Sequence, residues 1–174
     1  METMVLIALG SNRRHPRHGG PADVLRAAMR ELAGPGLRVT GVSRLYHTAP
    51  LGPPQPAYVN AALRAVTSLA PAELLRRLQA MERRFGPKGR RHWGERVLDL
   101  DIIGYGTRVI PGRLGWRTGH GFAVPHRRAH ERAFVLRPLL DVAPAWRHPV
   151  LGLTVRQLAA RVDGRRWIRA VAEV

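Results

Sequence analysis

The sequence predicts an α+β fold: a ferredoxin-like sandwich with a mostly antiparallel sheet, helices packed on one face of it, and C-terminal additions. Three observations carry that reading. Short apolar, β-branched runs interleave with stretches of helical spacing, their order is β-α-β-β-α-β, and glycine- or proline-rich breaks separate them. With 174 residues, 45% hydrophobic and 24% charged, the chain reads as one domain, residues 1–174, long enough to bury a core.

Taken in order, Met4–Gly10 is an apolar strand that ends in the turn cluster "GSN". After "RRHPRHGGP", residues 21–33 place Val24, Leu25, Ala28, Met29 and Leu32 at helical spacing, with Gly34 as the stop. Leu37–Leu45 alternates as a strand, and "HTAPLGPPQPAY" (47–58), with four prolines, is an irregular loop because proline removes a donor and fixes φ. Val59–Thr67 is the next strand. Pro71 opens a helix whose Leu74, Leu78, Met81 and Phe85 form a core stripe that Gly86 ends. A basic loop over 87–96 leads into the strand of "RVLDLDIIGYG" (96–106), and 107–123 reads as a hairpin with a glycine-rich loop. Arg132–Leu140 and Thr154–Val162 read as short helices, and the arginine-rich tail "DGRRWIRAVAEV" takes no assignment.

Composition excludes whole classes of chemistry. The chain has no cysteine, so disulfides, thiolate metal sites and cysteine nucleophiles are out. The apolar run Met4–Leu9 is only six residues long and no basic stretch precedes it, which is too short for a signal peptide or a membrane span; a cytoplasmic protein with no membrane partner is expected. The net charge of +17 suggests an anionic partner. Of the 29 basic residues only Lys88 is lysine, and the arginines are spread along the chain, as compositional bias would leave them. An RNA-binding sheet would want exposed aromatics. The chain has four tryptophans, three tyrosines and three phenylalanines and no run of the kind such sheets carry, so no nucleic acid partner is expected.

The chemistry concentrates in "RVLDLDIIGYG". Residues two apart in a strand share a face, about 6–7 Å apart. Leu98, Leu100 and Ile102 therefore face one side, and Asp99, Asp101 and Ile103 the other. Two carboxylates so placed either share a divalent cation or form a solvated strand face; oxygen-only ligands suit Mg²⁺, which takes one or two carboxylates plus phosphates. Upstream, "RRFGPKGRRHWGER" gathers Arg83, Arg84, Lys88, Arg90, Arg91 and Arg96 around glycines and a proline. It is either a solvated basic turn or a loop whose guanidinium forks hold phosphate. Trp93 within it either plugs the core or stacks on a planar ring. Gln79 and Glu82, three apart, share a helix face that is either surface or a nucleoside contact. His126 in "VPHRRAHERAF" either donates to phosphate or satisfies local backbone. "HTAPLG" is either a rigid connection or a source of backbone groups for the edges of a flat heterocycle.

Five segments, in one order, resemble the 6-hydroxymethyl-7,8-dihydropterin pyrophosphokinase family: "IALGSN" (7–12), "SRLYHTAPLGPPQPAYVNAA" (43–62), "LLRRLQAMERRFG" (74–86), "HWGERVLDLDIIGYG" (92–106) and "VPHRRAHERAFVLRPLLDVAP" (124–144). The resemblance implies transfer of pyrophosphate from ATP to the hydroxymethyl group of a reduced pterin, with release of AMP and two Mg²⁺ ions, by a monomer acting on small molecules. It implies Asp99 and Asp101 as metal ligands, and Arg96, Asp99, Asp101, Arg91 and Lys88 as the catalytic set. Thr48, Ala49, Leu51, Tyr58 and Asn60 match the pterin pocket, with Trp93 and Phe134 sandwiching the ring. Gln79, Glu82, Trp93, Arg96, Ile102, His126 and Arg132 match the ATP site. The chain departs from the family at residues 86–89, "GPKG", where Pro87 and Gly89 stand in place of arginines. Lys88, Arg90 or Arg91 is then expected to supply the charge. The departure also motivates a second reading, a homologue that binds pterin or nucleotide with weak turnover.

Overall fold

The structure, a computed structural model, describes residues 1–49, 56–86, 95–162 and 168–172. Its elements are β1 (Thr3–Ser11), α1 (Pro21–Leu32), β2 (Leu37–Val42), β3 (Leu45–Thr48), β4 (Tyr58–Thr67), α2 (Pro71–Phe85), β5 (Asp99–Tyr105), α3 (Arg113–Thr118), α4 (Ala133–Val142), α5 (Val155–Val162) and β6 (Ile168–Ala172). The strands form one sheet in the order β5-β1-β4-β3-β6, with β2 also paired to β4, and every described pairing is antiparallel.

The expected α+β sandwich is present, with helices on both faces of the sheet rather than one. Val5, Ile7 and Leu9 of β1 pack with α1 and α2, through Leu25, Leu32, Leu74 and Leu78. On the other face Leu6 of β1, Ala62 of β4 and Ile103 of β5 pack with α4 and α5, through Leu136, Leu139, Val155 and Leu158. A strand covered on both sides has no polar positions to alternate with, which is why β1 reads as an unbroken apolar run. The C-terminal additions supply the second cover. Each large aliphatic side chain fully buried this way contributes about 1.5–3 kcal/mol.

Both long helices start alike. Pro21 and Pro71 occupy the first turn, where a missing N–H costs nothing. Asp23 and Glu73 reach back to accept from the N–H groups of Gly20 (3.3 Å) and Ala70 (3.4 Å), so an acid also sits at each positive helix end.

Four expectations change. Leu37–Leu45 is two strands, because the Ser43 hydroxyl accepts from the Ala62 N–H (2.8 Å) and lets the chain step between two registers on β4. His47 and Thr48 belong to β3 and Tyr58 to β4, so the loop between them is shorter than 47–58. Segment 107–123 holds a short helix, α3, inside the single bridge Ile110–Val124, anchored by buried Trp116, whose Nε1–H donates to the Pro125 carbonyl (2.6 Å). The tail contributes β6, paired with β3.

Candidate active site

The two carboxylates lie where neighbouring strands meet in register, and the row through Asp99 crosses four of them. Asp99 pairs with Gly10 of β1, which pairs with Asn60 of β4, which pairs with Tyr46 of β3. Asp101, two residues on, pairs with Ala8 and thence Ala62. In-register neighbours share a face, so Asp99, Asp101, Tyr58, Asn60 and Thr48 all project from the side that α4 and α5 cover. Leu98, Leu100 and Ile102 are buried in the opposite cluster, as the strand period requires. A Cβ at Gly10 would stand 3.1 Å from Asn60 Oδ1, so glycine there leaves room for the amide.

Arg96 is fixed at this row. Its N–H donates to Asn12 Oδ1 (2.8 Å), the Asn12 N–H donates to its carbonyl (3.1 Å), and its guanidinium is ion-paired with Asp99. Burial opposes the charge on Arg96, but the Asp99 carboxylate outweighs it and holds the guanidinium more firmly protonated than usual. Asn12 is the last residue of "GSN", a turn signal in the sequence, but its partner lies 84 residues away and leaves no local trace there.

On the far side of Asp101 stands His126, with Nε2 3.9 Å from Asp101 Oδ2. Its Nδ1 accepts from the Arg128 N–H (3.2 Å), which assigns the proton of the neutral ring to Nε2, facing the carboxylate. Burial first, and Arg132 second, push its pKa down to about 4, so the imidazole is neutral at pH 7 with a single N–H to offer. Arg132 is itself depressed by burial, which Asp101 opposes, and its buried Nε has no hydrogen-bond partner among the described residues. Its guanidinium sits 5.7 Å from the centre of the Phe134 ring, and Phe134 packs against the α4–α5 cluster. His126 and Arg132 line an open pocket of about 290 Å³, together with Arg127, Arg128 and the segment Gly119–Ala123. The sequence reading missed Arg127 and Arg128 as pocket residues.

On the β4 side, Asn60 Nδ2 donates to Thr48 Oγ1 (2.6 Å), and both residues are buried. Ala49 follows at the end of β3. Tyr58 is half-buried; burial, then the Asp99 charge, raise its phenol pKa. This corner offers paired amide and hydroxyl groups beside an aromatic ring, a surface suited to the edge of a planar heterocycle.

Three expected residues sit apart from the carboxylates. Glu82 is buried and accepts from the Leu100 N–H (2.8 Å) with Oε1, closing a donor on the free edge of β5. It also adds to the negative field that Arg96 feels. Gln79, one turn earlier on α2, is half-buried. The Ile102 side chain lies in the α1–α2 core, on the same face as Leu98 and Leu100, so a contact of this residue with a nucleoside falls to its backbone. Leu51, Lys88, Arg91 and Trp93 lie outside the described residues.

As oxygen donors on one face, Asp99 and Asp101 can hold a hard divalent cation. No group of three or more His, Asp or Glu side chains is close enough to cage a metal among the described residues. Such a donor set fits an ion that shares its coordination with a bound phosphate. No helix among them is long and apolar enough to cross a membrane.

Comparison with known proteins bears on the same segments. The family model for 7,8-dihydro-6-hydroxymethylpterin-pyrophosphokinase (HPPK) matches residues 6–144. A Synechocystis protein named 2-amino-4-hydroxy-6-hydroxymethyldihydropteridine pyrophosphokinase is 39% identical over 160 residues, 91% of this chain and 75% of the relative. A Pseudomonas aeruginosa protein of the same name is 41% identical over 148 residues, 83% of each chain. The fold is similar to that of Plasmodium falciparum HPPK-DHPS solved with pteroate, with a TM-score of 0.68 at 14% identity. That match covers 92% of this chain and 42% of the solved one, so the protein spans about two-fifths of that longer polypeptide. With the match running from β1 through α4 and so taking in every site element described, the chain belongs to the 7,8-dihydro-6-hydroxymethylpterin-pyrophosphokinase family.

Proposed function

We propose that this protein transfers pyrophosphate from ATP to the hydroxymethyl group of 6-hydroxymethyl-7,8-dihydropterin and releases AMP, as one cytoplasmic, monomeric domain. The observation that carries the reading is the shared face: the Asp99–Asp101 pair lies between the polar corner of Thr48 and Asn60 and the cationic pocket of His126 and Arg132. A flat pterin fits the first neighbour, a polyphosphate fits the second, and the reacting atoms meet over the carboxylates.

Displacement at the β-phosphorus needs in-line placement and neutralisation of charge more than covalent help from the protein. Asp99 and Asp101 would hold Mg²⁺, two ions on the family resemblance, which when bound supplies charge neutralisation and orients the phosphate oxygens. Arg96, tied to Asn12, holds the Asp99 carboxylate in place. His126 presents Nε2–H as a neutral donor, and Arg132 keeps a buried positive charge with a free donor for a phosphate oxygen. Thr48, Asn60 and Tyr58, with Ala49, Leu51, Trp93 and Phe134, make the pterin side; Gln79, Glu82 and the Ile102 backbone make the nucleoside side. Lys88 and Arg91 are assigned the remaining charge over the phosphates.

The test is AMP release by purified protein supplied with ATP, Mg²⁺ and the pterin alcohol. AMP that appears only with the pterin upholds the reading. Pterin binding without AMP release overturns it in favour of a binding homologue.

A further inference from the structure

One wall of the phosphate-side pocket is built from two glycines, Gly119 and Gly121, with the exposed His120 and the small Ala123. It is the segment Gly119–Ala123, reached through α3, a helix of six residues. So short a helix holds its shape only by tertiary contacts. Its start is gripped by Arg113, whose Nη1 and Nη2 donate to the Pro149 carbonyl (3.0 and 3.2 Å). Its end is gripped by Arg127. There Nε donates to the Trp116 carbonyl (3.0 Å), Nη2 to the Gly115 carbonyl (3.0 Å) and Nη1 to the Gly121 carbonyl (2.6 Å). Chain and guanidinium meet so closely that a Cβ at Gly119 would stand 2.5 Å from the Gly115 oxygen and 3.2 Å from Arg127 Nη2.

We propose that Arg127 is a positioning residue for the pocket: one guanidinium ties three backbone carbonyls, so that the Gly119–Ala123 wall faces His126 and Arg132 with its oxygens already paired. The inference rests on the functional reading of this pocket as the polyphosphate site. A planar fork reaches three acceptors at once, whereas an ammonium on the same stem is a point charge that satisfies one at a time. Without the fork, the Trp116 and Gly121 oxygens lose their partner and the Gly115 oxygen keeps only the Gly119 N–H (2.9 Å), beside a site that receives anions, and the charge nearest them is gone. Arg127 thus serves nucleotide binding while its own donors are occupied by backbone; of the other two pocket arginines, Arg128 is paired with Glu131 (3.3 Å) and Arg132 keeps an unpartnered Nε.

The test uses Arg127→Gln and Arg127→Lys in the full chain, read by AMP-release kinetics and by hydrogen exchange of the 113–121 amides. The expected result for Arg127→Gln is an ATP KM raised about tenfold, with kcat and the pterin KM within about twofold of the parent. Arg127→Lys should recover about a third of that loss, and 113–121 amides should exchange faster in both. Unchanged exchange overturns the clasp, and an unchanged ATP KM with faster exchange overturns its role in binding. If Arg127→Gln does not fold, Arg127→Lys carries both readouts. If the parent protein releases no AMP, the functional reading is what fails, and exchange in Arg127→Lys alone then decides whether Arg127 holds the wall.

Discussion

Val5, Ile7 and Leu9 enter one core with α1 and α2, while the alternate residues Met4, Leu6 and Ala8 of the same strand enter another with α4 and α5. The first face is closed by two long, regular helices, and the one buried charged side chain set against it among the described residues is Glu82, which closes the β5 edge. The second face is covered over part of its length only. Where α4 begins, the sheet surface gives way to Asp99, Asp101, Asn60 and Thr48, and the segments that approach them are short and held by side chains gripping backbone. Apolar packing stabilises both faces, but a site needs uncovered polar groups, so chemistry lies where the cover stops. The contrast also gives the high positive charge a structural share. Arg77, Arg113 and Arg127 all donate to backbone carbonyls, and Arg44 clasps Asp141 (2.9 Å), so part of the arginine content is internal hydrogen bonding.

The sharpest way to break the comparison is to remove charge on the second face alone. Asp101→Asn should lower AMP-release kcat by about a thousandfold or more, with the urea midpoint unchanged. Activity within tenfold of the parent would remove the carboxylates from the mechanism. The mirror experiment touches the first face: Leu78→Ala should destabilise by about 3 kcal/mol in urea unfolding and leave the kcat of the folded protein unaltered. A large kcat loss there would mean that the faces are not separable.

Acid tests the C-terminal cover. His148 is 1% exposed, its Nδ1 accepts from the N–H groups of Val150 and Leu151, and burial, then His130, depress its pKa to about 4. The folded state keeps this ring neutral while the unfolded chain protonates it near pH 6.5, so its contribution is complete above pH 6.5 and is lost as pH falls towards 4. The loss amounts to on the order of 3 kcal/mol. His148→Asn keeps an acceptor for the same N–H groups and should flatten that part of the stability–pH curve; an unchanged slope would assign it to other groups. The smallest expected effect is at Asn12. Asn12→Ala releases Arg96 and should cost about tenfold in kcat/KM, with stability falling by about 1 kcal/mol. A stability loss without a kinetic one would make the Asn12–Arg96 tie purely structural.

Much of this was legible beforehand. Both long helices appeared from the spacing of Leu74, Leu78, Met81 and Phe85 and of its counterpart in α1, and Pro and Gly marked their ends. The two-residue period of β5 was enough to put Asp99 and Asp101 on one side and the leucines in the core. What misled was asymmetry of cover. An unbroken apolar β1 signals burial on both sides, but the helices that bury the second side come late in the chain, and their contacts with the sheet are non-local. β6 escaped because a short edge strand is defined by its partner, β3, rather than by its own pattern.

The sequence by itself determined periodicity, punctuation and the inventory of acids and bases, because those depend on neighbours a few residues apart. Register was decided only in three dimensions: that Gly10 lies between Asp99 and Asn60, that Asn12 reaches Arg96, and that Arg127 meets three carbonyls between Gly115 and Gly121. Such meetings depend on which way each strand runs beside the next and where each connection closes. No local pattern of residues carries that information.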